Sequence, residues 1–118
     1  MRVYRTDCDG VAVLRLSGEI DGRDAEMLVN HLGGGIGGCC VLDFAGVSHV
    51  DYRAFWILER LTRKNPGVIF SGFSDYLLSI LAYVSDWKMT PVFSTWRSAL
   101  RYLMAERGKL GVMAAAEA

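Results

Sequence analysis

The sequence predicts a small α/β domain whose sheet starts antiparallel and continues parallel. Two apolar runs, Val3 to Thr6 and Val11 to Leu16, flank Asp9-Gly10, a dipeptide suited to the tight turn of a β-hairpin. Beyond them, short apolar runs alternate with stretches whose apolar residues recur at helical spacing, the pattern of strand and crossover helix. Between these lies Cys39-Cys40-Val41-Leu42, apolar without alternation, as a strand covered on both faces must be.

Asp21 is a natural N-cap for the first helix, in which Ala25, Leu28, Val29 and Leu32 fall at i, i+3, i+4 and i+7 on one face. Glycines from Gly33 onward stop it. After the central strand, a second helix is expected from about Tyr52 to Lys64, ended by Asn65-Pro66-Gly67. Val68 to Phe70 supplies the next strand. Ser74 to Trp87 comes next as a third helix with Leu77, Ile80, Leu81 and Val84 turned inward. Val92-Phe93 makes a short last strand, and Trp96, Ala99, Leu100 and Leu103 mark the stripe of a fourth helix. The expectation is a mixed sheet of four to five strands with about four helices. Residues 1–107 would form one domain and residues 108–118 a flexible C-terminal tail.

At 118 residues the chain can bury a core without metal or disulfide staples. Hydrophobic residues make up 52% and charged residues 22%, with 2 prolines, a globular rather than a disordered composition. Thirteen basic and thirteen acidic residues cancel, which argues against a general nucleic-acid binder needing a basic excess. The start, MRVYRTDCDG, carries charges where a secretion signal would be apolar, and no run approaches the ~20 apolar residues of a membrane helix. With Cys8, Cys39 and Cys40 read as reduced thiols, a cytoplasmic location is expected.

The richest stretch is Val41 to Leu58, read as a buried strand, a crossing loop containing Ser48 and His49, and the first turns of a helix. Asp51 would cap that helix, with Tyr52 and Arg53 at its N-terminus, where free N–H groups and the dipole favour anions. Ala54, Ile57, Leu58 and Leu61 form the inward stripe. At about 100° per residue, Tyr52, Trp56, Glu59 and Arg63 then point to solvent. Exposed Tyr and Trp four residues apart suit a partner-binding patch. Asp21 and Asp51 would lie near strand ends on one sheet edge, where ligands of parallel sheets usually sit.

Other chemistries fit poorly. A literal GxGxxG spans Gly33 to Gly38, but it leads from helix to strand, the reverse of a dinucleotide loop. Adjacent strand residues Cys39 and Cys40 point to opposite faces and cannot chelate one ion together. His49 has no orienting third group, so no catalytic residue is assigned, and no metal or cofactor is expected. Arg60, Arg63 and Lys64 sit where they complement a helix C-terminus.

The segments VLRLSGEID (Val13 to Asp21) and VLDFAGVSHVD (Val41 to Asp51), succeeded by an amphipathic helix, resemble a STAS domain, the fold of bacterial anti-sigma factor antagonists. The resemblance runs from about Val11 to Leu103. It implies a non-enzymatic, protein-binding regulatory module whose partner is an anti-sigma factor or kinase-like protein. In phosphoswitched members the aspartate matching Asp51 precedes a serine or threonine, a small residue and glycine. Here Tyr52 takes the phosphoacceptor position and Ala54 that of the glycine, so the resemblance implies a docking surface without the usual Ser/Thr switch. Asp21 matches the aspartate of the family's first motif. The partner-binding set implied is Asp21, Ser48, Asp51, Tyr52, Arg53 and Trp56. Similar standalone domains suggest two alternatives, a subunit bound to an ABC transporter ATPase or a small-ligand or nucleotide sensor. Homodimerisation is also open.

Overall fold

The computed structural model describes residues 1–33, 39–84 and 92–117, with side chains described through Glu106. The chain runs β1 (Arg2–Cys8), β2 (Val11–Ile20), α1 (Gly22–Gly33), β3 (Cys40–Val50), α2 (Tyr52–Lys64), β4 (Val68–Ser71), α3 (Asp75–Val84), β5 (Val92–Phe93) and α4 (Trp96–Glu117). The five strands stand in sequence order across one sheet. β1 and β2 pair antiparallel, and all later neighbours pair in parallel. The hairpin turn rests on Asp9 and Gly10, both at positive φ (52° and 82°), which gives the turn a twist matching that of the strands.

The alternation of side chains along the strands divides the core into two layers. Leu14, Leu16, Leu42, Phe44 and Phe70 face α1, α2 and α3, meeting Leu28, Leu58 and Leu81 among others. Val11, Val13, Val41 and Ile69 face the opposite way and pack against Ala99 and Leu103 of α4. Cys40 and Val41 therefore contribute to different layers, which is why this strand reads as continuously apolar. Each fully buried Leu, Ile or Phe contributes about 1.5–3 kcal/mol.

One feature differs from the sequence expectation. β3 continues to Val50, so Ser48 and His49 belong to the strand and not to a crossing loop. The reason is its neighbour: β2 also runs on, to Ile20, and pairs Glu19 with His49 and Ile20 with Val50 beyond two register shifts. The backbone of α4 is helical to Glu117. The glycine-rich match after Gly33 and Trp87 lie outside the described residues.

Candidate functional site

The parallel strands β2 and β3 end side by side, and each feeds directly into a helix. The Asp51 N–H donates to the Ile20 carbonyl (3.2 Å), tying the end of β2 to the start of α2. Asp51 is extended (φ −73°, ψ 163°), and its Oδ1 accepts the Ala54 N–H at 2.8 Å, capping α2. Asp21 does the same for α1: its Oδ1 accepts the Asp24 N–H at 2.9 Å, and Asp24 Oδ2 accepts the Asp21 N–H at 3.1 Å. This reciprocal arrangement is a capping box. The backbone hydrogen bond from Asp24 above all, with further help from the Asp24 side chain and Arg23, holds the Asp21 carboxyl below its ordinary pKa.

The two capping carboxylates thus share one edge, as expected, and line a polar cleft of about 520 Å³ with Met1, Glu19, Asp24 and His49. Among the described residues, no group of three or more His, Cys, Asp or Glu side chains is placed to hold a metal ion. Cys40 is a poor nucleophile, because burial pushes its thiol up to about 12.

α2 presents two unlike faces. Ala54, Phe55, Leu58 and Leu61 are buried. Tyr52 is 63% and Trp56 50% exposed, on the outward side where the helical period puts them. The Arg60 guanidinium covers part of the Trp56 ring, 4.7 Å from its centroid. Arg53 reaches away from these aromatics to Glu26 on α1 (2.8 Å). Gly22 leaves it room: a Cβ there would lie 2.9 Å from Arg53 Cδ.

Glu59 corrects the sequence reading. The helical period assigns it to the solvent face, yet it is only 3% exposed. Phe55, Glu59 and Thr62, at i, i+4 and i+7, form a second buried flank, because α2 packs against both α1 and α3 as well as the sheet. The buried carboxylate is paired with Arg63 one turn on, whose side chain stands at the rim. Ser48 is exposed on β3 and lines no part of the polar cleft.

A second, aromatic cleft escapes the sequence reading. His49 Nδ1 and the Tyr76 hydroxyl share a hydrogen bond at 2.6 Å, joining the end of β3 to α3. Around them, Asp51, Tyr52, Ser79, Ile80 and Tyr83 line a hollow of about 300 Å³, to which Ser48 again contributes nothing. Tyr76, Ser79 and Tyr83 recur at i, i+3 and i+7, on the side of α3 away from Leu77 and Leu81. This second stripe is present in the sequence as a signal. What it opposes is not.

No family model matches the chain, and no curated protein matches it. Solved structures do match. A variant of RsbS from Moorella thermoacetica is similar at 17% identity and a TM-score of 0.73, covering 91% of this chain and 98% of that one. An anti-sigma factor antagonist from Mycobacterium paratuberculosis is similar at 23% identity and a TM-score of 0.73, over 87% of this chain and 93% of its own. The STAS domain of a SulP transporter from Vibrio cholerae is similar at 20% identity and a TM-score of 0.69, over 88% of each chain. At such identities the likeness is one of fold, and the fold is that of a STAS domain. Among the described residues, no helix is long and apolar enough to cross a membrane.

Proposed function

We propose that the chain is a protein-binding regulatory module of the anti-sigma factor antagonist kind, docking a kinase-like anti-sigma factor on the α2 junction. The observation that carries this reading is the pair of exposed aromatics, Tyr52 and Trp56, on the first two turns of a helix held by a capped N-terminus and a packed inner face. Large aromatic side chains on a rigid support bury much area at small entropic cost, the usual profile of an interface anchor. The STAS fold, shared along most of the chain with solved anti-sigma factor antagonists, supports the assignment.

Tyr52 stands at the position that carries a serine or threonine in switched relatives. Its phenol oxygen lies a ring's length farther from the backbone than a serine hydroxyl, so a kinase site shaped for a short side chain would not align it for transfer. The complex should therefore persist in the presence of ATP. The test is to mix the protein with a kinase-like anti-sigma factor that it captures, add ATP and magnesium, and measure intact mass together with complex stability. Unchanged mass and a retained complex are expected. A phosphate mapped to Tyr52 with release of the partner would contradict the proposal.

A second reading, as a STAS subunit attached to a transporter, draws support from the likeness to the SulP transporter domain. Co-purification with transporter components instead of an anti-sigma factor would favour it.

A further inference from the structure

β1 ends the sheet, and its free edge is long and regular, without the proline or bulge that would break strand pairing. The strand is seven residues long, has no proline, and pairs with β2 in unbroken register from Arg2 opposite Ser17 to Cys8 opposite Val11. Six of its seven side chains are exposed and the seventh is half-buried, with Val3 and Tyr4 among the exposed apolar residues. At the other edge, β5 offers only two residues. A long, regular, unbulged edge is a template for another strand, whose backbone would pair with its outward N–H and C=O groups.

We infer that this edge takes a second copy of the chain, with the two β1 strands antiparallel and centred on Thr6, so that Arg5 of each copy faces Asp7 of the other. Symmetry and charge select this register. A two-fold axis normal to the sheet keeps each face continuous, so paired residues must lie on the same face of their strands. Val3, Arg5 and Asp7 lie opposite Leu16, Leu14 and Ala12 of β2, on the face that carries α1 to α3. Tyr4, Thr6 and Cys8 lie on the other face. The possible centres are then Tyr4, Arg5 or Thr6. Centring on Arg5 sets two like charges directly opposite, which is destabilising. Centring on Tyr4 sets Arg5 against Val3 and leaves Asp7 beyond the strand. Only the Thr6 centre sets opposite charges face to face, twice by symmetry, and on the other face it places Tyr4 against Cys8. Arg5 and Asp7 pair with each other within their own strand, at 3.2 Å with side chains 48% and 64% exposed, so both are free to exchange that contact for one across the axis.

The result is a continuous ten-stranded sheet with α1 to α3 of both copies on one side. Because the strands of the copies run in opposite directions, their Asp51 junctions lie at opposite ends, which makes the assembly bivalent.

Sedimentation equilibrium of the full chain tests this with a charge swap. The wild type should sediment as a dimer. Arg5→Asp, which sets aspartates opposite one another, should weaken the dimer by at least about tenfold, and Arg5→Asp with Asp7→Arg should restore it. Circular dichroism checks that each variant is folded. In a Cys8→Ser, Cys39→Ser background, where the remaining Cys40 is buried, Tyr4→Cys, Arg5→Cys and Thr6→Cys read the register directly: Thr6→Cys should cross-link between chains more readily than the other two. A wild-type monomer at high micromolar concentration, a dimer indifferent to Arg5→Asp, or preferred cross-linking at position 4 or 5 would overturn the inference. The monomeric Arg5→Asp chain should still capture the α2 partner, so failure here and failure of the docking proposal are separable.

Discussion

The helices α1 and α2 leave neighbouring strands at the same edge of the sheet and begin with the same device, yet they offer different surfaces. Each starts behind an aspartate whose carboxylate accepts the N–H three residues on. At α1 the cap is reciprocated by Asp24, and the next residues are Gly22 and Arg23. At α2 the third residue after the cap is Ala54, which cannot reciprocate, and the exposed positions hold Tyr52 and then Trp56. The cap alone is therefore no sign of function, since both helices need one. The difference lies in the first turns beyond the cap, where α1 exposes Arg23, Glu26 and the flexible Met27, whereas α2 exposes the rigid aromatics Tyr52 and Trp56.

Inside α2 the contrast between faces is open to a severe test. Phe55, adjacent to Trp56 but fully buried, should cost about 3–5 kcal/mol of unfolding free energy when changed to alanine, measured by urea denaturation. A loss below about 1 kcal/mol would mean that the inner face of the helix is not packed against the core. Next in size is the cap itself. Asp51→Ala should cost about 1 kcal/mol, and Asp51→Asn should recover most of it, because asparagine caps nearly as well. An asparagine variant as damaged as the alanine one would give the carboxylate a role beyond capping.

A slighter effect is expected at Asp21, and its sign is set by the direction of its pKa shift. A carboxyl held below its ordinary pKa stabilises the fold above the ordinary carboxylate range, and that contribution disappears as pH falls through the lowered value. Asp21→Asn should therefore flatten the acid side of the stability profile slightly while leaving neutral stability nearly unchanged. A steeper acid loss in the variant would contradict the assignment.

Much of the fold is legible in the sequence because it rests on local periodicity. The inward faces of α1 and α3, the Asp9-Gly10 turn, both caps and the exposure of Tyr52 and Trp56 come from spacing alone. The ends of β2 and β3 do not, since the apolar run of β2 stops at Leu16, before Ser17-Gly18-Glu19, and Ser48-His49 are polar and read as loop. They become strand only by pairing with each other across register shifts. Glu59 is misplaced for a related reason: a helical wheel gives the angle of each side chain but not how wide an arc the neighbours cover. The His49–Tyr76 contact joins residues 27 apart, a distance that no local pattern encodes.

Whether the outward face of α2 is a docking surface or a poorly covered part of the core is decided by Trp56→Ala, with melting temperature and partner affinity measured on the same preparation. A docking surface requires a stability loss below about 1 kcal/mol, the cost of a half-exposed side chain and its contact with Arg60, together with loss of partner binding by about a hundredfold or more. Wild-type affinity in a folded Trp56→Ala variant, or a stability loss as large as that of Phe55→Ala, would refute it.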